Sequence, residues 1–330
     1  MSEALLSHAV GAVKRARRTA GRVRRRVERM NTVPVLGTRG HSRAALRPVH
    51  LSVLAGRTLN VAVPCPAGHT GPDAALLVLE HRGVRRTVAM EAEPQPDGTV
   101  LLTATASLRH ARHDAGLAGV RLDDGVWRLN VALRDASGTQ HVLGVSAPEP
   151  YASDGPTLPH PPSATSGAVF RPVRSVDGYA MIKVSGPREQ AELDTFELRW
   201  DRITVRGRLL AARGPKSEYR AEAVRRGSGA AVPVDLTWDG DHFTFDVPLA
   251  AMTAGTRAQR MWDIQLRHGR NRIKICRRLT DVRHLRKVFR VPFRTIAVED
   301  GTLLRVHAHL SAAGVFAVNC TAFTTTEESA

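Results

Sequence analysis

The chain has 330 residues, 42% of them hydrophobic, and a formal net charge of +17. That length accommodates two ordinary domains, and the apolar fraction excludes global disorder. Only five of the 48 basic residues are lysines, an Arg bias of the kind a GC-rich genome produces, yet the charge still favours acidic partners whatever its origin.

Residues 4–30 read as one amphipathic helix. Leu6, Val10, Val13, Ala20, Val23, Val27 and Met30 fall near three-and-four spacing. Around them lie Lys14, Arg15, Arg17, Arg18, Arg22, Arg24, Arg25, Arg26 and Arg29, against Glu3 and Glu28 only. Charges of this density beside a shallow Val/Ala face suit an anionic membrane surface, at roughly 1 kcal/mol per cation, as a peripheral attachment rather than a span. A protein partner or coiled coil is the second reading of this helix. Nucleic acid is the third, since no aromatic is interleaved with the cations. Asn31 and the stretch from Pro34 to Gly40 close the helix.

From Leu46 the pattern becomes that of strands. Val49-Leu51-Val53 and Leu59-Val61-Val63 alternate, and Pro94 to Gly98 and Asp135 to Gly138 are hairpin turns. Trp127 opens an alternating strand with Leu129, Val131 and Leu133, and Asp123-Asp124-Gly125 is the turn before it. The Pro/Ser-rich stretch 148–167 reads as a surface loop of the first domain. Further strands follow around Phe196-Leu198-Trp200 and Ile203-Val205. A hairpin at Trp238 to Asp241 comes next, then a strand opened by Trp262.

The landmarks come twice. Gly83 and Gly227 each close an apolar run, Trp127 and Trp262 each open a strand, and Phe170-Arg171 with Asp177-Gly178 matches Phe293-Arg294 with Asp300-Gly301. Such self-similarity predicts a duplicated unit. The expected fold is mainly β: two tandem immunoglobulin-like antiparallel β-sandwiches behind the basic helix. The expected organisation is helix and linker over 1–45, a first sandwich over 46–186, a second over 187–323 and a flexible tail over 324–330.

Thirteen Lys and Arg residues fall between Arg257 and Arg294, against Asp263 and Asp281. In the run from Arg270 to Arg278, alternation turns Ile273 and Ile275 to the core and sends Arg272, Lys274 and Arg278 to one outer face. With Arg270 and Arg277 these residues form a candidate site for phosphate or carboxylate groups spaced along a polymer. A solvated, edge-protected sheet surface is the structural alternative. Trp238, beside Asp239-Gly240 at a hairpin tip, is a candidate for carbohydrate stacking, whereas Trp127 and Trp262 read as core anchors.

Signals for catalysis are thin. There is no phosphate-binding glycine loop and no nucleophile elbow. His110, His113 and Asp114 cluster, and His307 and His309 are two apart, but neither group has the further ligands a zinc site needs. Cys65, Cys276 and Cys320 have no metal spacing and leave an odd count, so no metal, cofactor or disulfide is expected and a reducing cytosol is the expected compartment. The N-terminus lacks the charge-then-apolar order of a secretion signal, and no run reaches membrane-spanning length.

Trp262-Asp263-Ile264, Arg277 to Val282, Lys287, Pro292-Phe293 and Asp300 to Leu303 resemble a pattern in the β-sandwich modules appended to actinobacterial cell-wall polymer transferases. The resemblance covers 195–308, and 47–184 more loosely. Those enzymes join a glycosyltransferase or a CDP-glycerol glycerophosphotransferase to tandem immunoglobulin-like modules; the catalytic domains have no counterpart here. It implies a non-catalytic accessory protein on the cytoplasmic membrane face, holding a teichoic-acid-like polymer or its transferase. Two other classes stay open: a small transferase or hydrolase with its site near His110–Asp114, and a self-assembling structural module.

Overall fold

The computed structural model describes residues 32–33, 45–66, 75–135, 137–148, 155–253, 259–299 and 302–324. The expected helix over 4–30, with its nine cations, lies outside the described residues, as does the tail from 325 onward. The chain divides into two compact units. One comprises Met1–Ser153 with Val169–Ser185, the other Asp154–Ala168 with Gly186–Ala330.

The first unit contains β1 (Thr32–Val33), β2 (Ala45–Leu46), β3 (His50–Leu54), β4 (Thr58–Pro64), β5 (Leu76–His81), β6 (Val84–Ala89), β7 (Glu91–Pro94), β8 (Val100–His110), β9 (Val120–Leu122), β10 (Gly125–Arg134), β11 (Gln140–Val145), β12 (Val169–Ser175) and β13 (Ala180–Ser185). One antiparallel sheet runs β3-β4-β8-β7. In the other, β5 pairs with one edge of β10, while the opposite edge is shared by β13 near Trp127 and β11 near Val131. β2 lies parallel to β11. The alternation of β4, with Leu59, Val61 and Val63 buried and their neighbours half-exposed, is the period-two pattern of a strand with one covered face.

The second unit contains β14 (Gln190–Leu198), β15 (Arg202–Leu210), β16 (Tyr219–Arg225), β17 (Ala231–Val234), β18 (Leu236–Asp239), β19 (His242–Pro248), β20 (Arg260–His268), β21 (Asn271–Cys276), β22 (Arg294–Glu299), β23 (Thr302–Leu310) and β24 (Phe316–Thr324). Its pairings repeat the first unit's. β14-β15-β19-β18 follow one another as β3-β4-β8-β7 do. β16 covers one edge of β20, and β24 and β21 share the other. The first half of β14 lies parallel to β21, as β2 does to β11. Residues from both layers, including Val205, Phe243, Trp262, Leu266, Ile275 and Phe316, meet in one core. The fold is mainly β and β-sandwich-like, with several antiparallel sheets.

The duplication therefore exists as topology, but one predicted correspondence is displaced. β13 and β24 occupy the same place, opposite Trp127 and Trp262 respectively. Hence the β12–β13 hairpin matches β23–β24, and β22 lies beyond β23 where the two-residue β1 lies beyond β12. Phe170 is fully buried in β12, whereas Phe293, its expected counterpart, is 53% exposed just before β22. Asp177-Gly178 forms the turn between β12 and β13, while Asp300-Gly301 lies outside the described residues.

The Pro/Ser-rich stretch also differs from expectation. Its described part, 155–168, hydrogen-bonds within the second unit: Leu158 N–H donates to Asp281 O (2.5 Å), and Arg283 N–H to Pro156 O (2.9 Å). Ser163 and Ala168 are fully buried, so this segment is packed structure rather than a free linker.

Candidate anion-binding groove

The basic run folds as the alternation requires, up to a point. Ile273 and Ile275 enter the core of the second unit, and Arg272 and Lys274 stand exposed on the other face of β21. The strand ends at Cys276, so the arginines after it follow the loop rather than the pleat. Arg277 is not on the outer face. Its guanidinium donates to Asp194 O (3.1 Å) and lies 4.6 Å from the centre of the Phe289 ring. Arg278 is exposed and returns to the neighbourhood of Lys274. Arg270 is exposed in the β20–β21 turn, outside the groove lining.

The position of Arg278 is fixed by a buried carboxylate. Glu192, on β14, accepts backbone N–H bonds from Arg278 (3.1 Å) and Leu279 (3.3 Å). Burial pushes its carboxyl above the ordinary range, against the opposing pull of those two N–H groups and of Arg208 and Arg277. Directly across the β14–β21 pairing from it is Cys276, whose thiol burial also pushes up. Arg272, Lys274 and Arg278 thus form one wall of an open groove of about 450 Å³, completed by Arg188 and Arg213. Five cations line it against one carboxylate, Glu189.

Glu189 is itself engaged and only 6% exposed at its side chain. Its Oε1 accepts from the Tyr219 hydroxyl (2.5 Å) and from Arg213 N–H (3.1 Å). Tyr219 in turn stacks on His268 at 4.5 Å. Arg213 places its guanidinium 3.9 Å from Glu189 but keeps 68% of its side chain exposed. The carboxylate therefore organises the wall, and the cations present charge outward.

Two further arginines join the face through strand pairing. Arg267 stands opposite Arg272 across β20–β21, and Arg220 opposite Arg267 across β16–β20. All three are exposed on the face that carries Lys274. Adjacent strands lie about 4.8 Å apart, so this row sets guanidinium groups at short, regular intervals. Like charges directly opposite one another destabilise a sheet. Such a row presents several guanidinium donors, capable of charge-assisted hydrogen bonds, on one face. Neither Arg220 nor Arg267 was legible as part of the site, because each belongs to a different strand.

The other candidates resolve differently. Trp238 packs edge-on against Tyr219 (6.0 Å) and Phe243 (5.9 Å), with Lys216 Nζ 5.7 Å above its ring, and is half-buried. Trp127 and Trp262 are 1% and 3% exposed, as core anchors should be. His110 is 1% exposed; its Nδ1 accepts the Arg112 N–H (3.3 Å), and its Nε2 lies 3.4 Å from Asp124 Oδ1. Asp114 is 3% exposed and accepts the His110 N–H (2.8 Å). This cluster latches the loop between β8 and β9. His307 stacks on His309 at 4.7 Å and on Phe293 at 4.3 Å. Among the described residues no group of three or more His, Cys, Asp or Glu side chains is arranged to hold a metal ion. Among them, too, no helix is long and apolar enough to cross a membrane.

Neither a protein-family model nor a curated protein matches the sequence. Among solved structures, the chain is similar to S. aureus TarS. Against TarS 217-571 the identity is 10% and the TM-score 0.31, over 63% of this chain and 56% of that one. Against the longer TarS structure the same identity and TM-score cover 62% and 35%. A pullulanase type I from Bacillus subtilis aligns at 11% identity and a TM-score of 0.17, over 71% and 24%. The chain thus spans little more than half, or about a third, of the TarS structures it matches. Superpositions this loose define neither fold nor function for it.

Proposed function

We propose that this chain is a non-catalytic binding protein for an anionic, phosphate-bearing surface polymer of teichoic-acid type, or for the transferase that makes it. The observation that carries this reading is the groove of the second unit, where Arg188, Arg213, Arg272, Lys274 and Arg278 surround one internally bonded carboxylate. The Arg220–Arg267–Arg272 row extends the charge across three strands. A phosphodiester polymer offers regularly spaced charges to such a surface, and each paired phosphate releases counterions.

We read each unit as immunoglobulin-like. Sheet orders β3-β4-β8-β7 and β14-β15-β19-β18 support this, each facing a second layer built on one long central strand. The residue pattern shared with modules of cell-wall polymer transferases supports the polymer as ligand class. The basic segment 4–30 would attach the chain to the anionic inner face of the plasma membrane. The reading requires no cofactor. A hydrolase or transferase centred on His110 is disfavoured by the burial of His110 and Asp114 within their own loop.

The deciding experiment titrates the full chain with synthetic poly(glycerol phosphate) at several salt concentrations, beside the triple variant R272E/K274E/R278E. The wild type should bind with a steep salt dependence, and the variant should lose most of it. Equal binding by both removes the groove from the proposal. Flotation on anionic vesicles, with and without residues 1–30, tests the attachment: equal flotation removes the helix from it.

A further inference from the structure

A second cleft in the same unit shares no lining residue with the groove. It lies at the β14–β15 hairpin, whose turn is closed by Arg199 N–H donating to Arg202 O (2.9 Å). Trp200 sits in that turn with 75% of its surface exposed. Beside it, Leu198, Val291, Pro292 and Arg294 line a cleft of about 800 Å³, within the range of small-ligand sites. Trp200 and Arg294 also line an adjoining lobe of about 380 Å³.

The chemistry of the lining is specific. Nothing in a two-residue turn requires an indole, and the other three tryptophans are buried or packed against aromatic neighbours. Arg199 is paired with Glu197 (2.9 Å), and Arg202 with Asp201 (2.6 Å). Arg294 donates only a long bond to Leu198 O (3.4 Å), leaving most of its guanidinium donors to the cleft. An open aromatic face, an apolar wall, the Glu197 carboxylate able to accept hydroxyl hydrogens and one available guanidinium thus converge.

We propose that this cleft binds a glycosyl phosphate unit, with the sugar ring on the face of Trp200 and the phosphate on Arg294. A sugar presents a C–H face to the indole and hydroxyls to Glu197. Single-stranded nucleic acid is the weaker fit, because its sites use successive aromatics along a cationic track, and here one indole stands beside the Glu197 carboxylate. This inference does not rest on the groove: the two sites fail or hold separately.

The test uses the full chain and the intrinsic fluorescence of Trp200, which is far more accessible than Trp127 and Trp262. Glucose 1-phosphate should give a saturable change. Methyl glucoside and inorganic phosphate, each carrying half of the ligand, should bind at least about tenfold more weakly. Ligand-observed NMR, which needs no tryptophan, should show binding lost in W200A and about tenfold weaker in R294A. Because Trp200 is exposed, W200A should retain the wild-type melting temperature. Four results would overturn the proposal: no saturation by glucose 1-phosphate, equal binding of inorganic phosphate, tighter binding of AMP, or undiminished binding by W200A. Loss of glucose 1-phosphate binding in R272E/K274E would also sink it, because the ligand would then belong to the groove.

Discussion

Arg267 and Arg272 face each other directly across the β20–β21 ladder, and Arg220 continues their row on β16. Opposite charges facing across a ladder contribute roughly 0.2–1 kcal/mol relative to a neutral pair, whereas like charges destabilise it. The single variant R272E should therefore gain stability of about that size in urea titration, by pairing with Arg267, while losing several-fold in affinity for poly(glycerol phosphate). A variant that loses both stability and affinity would mean that Arg272 is structural and that the row is not a binding surface.

Glu192 gives the groove a pH dependence whose sign is unusual for a carboxylate. Its folded-state value lies above the ordinary 4.5 because burial dominates. Between those two values the folded state holds the proton more tightly than the unfolded one, so this residue's contribution to stability falls as pH rises through the window. E192Q lacks that titration. The stability of E192Q relative to wild type should therefore rise with pH from below 4.5 upward, measured by denaturant unfolding across the acid range. A difference that stays constant with pH would show that the carboxyl is not perturbed.

Gly207 packs where no side chain fits. A Cβ there would lie 2.3 Å from Glu192 O and 2.5 Å from Phe243 Cζ. G207A should cost about 1–3 kcal/mol by overpacking. It should also weaken polymer binding, because β14 must move and carries Glu192 with it. Gly98 is the control: its φ of +83° strains any side chain, yet a Cβ would meet nothing within 4 Å. Thermal melts should show G98A well folded, with unaltered groove affinity.

The three cysteines should separate by reactivity. Cys320 is 2% exposed, and burial pushes its thiol up to about 12; Cys276 is 4% exposed and raised as well. Cys65 is half-buried. Maleimide at neutral pH should label Cys65 first, and the other two only as denaturant unfolds the second unit. Rapid labelling of Cys320 in the native protein would contradict the closed β23–β24 ladder.

Local order was legible in the residues alone. Alternation at Leu59-Val61-Val63 and at Ile273-Ile275 assigned faces, and glycines at 98, 138, 240 and 269 marked turns that their positive φ values require. Even the duplication was readable, because both copies must repeat the same strand and turn chemistry. Which strands are neighbours follows from the folded chain, not from local pattern. Periodicity states which side of a strand is outward but not what lies beside it, so Arg220 and Arg267 stayed apart from Arg272 until the ladders joined them. Trp238 and Trp200 each stand beside an aspartate near a hairpin, and of the two Trp200 is the more exposed. Trp238 pairs across strands with Phe243 and is half-buried, whereas Trp200 lies in the turn itself, beyond the reach of the core. Long-range pairing made that difference, and no local pattern encodes it.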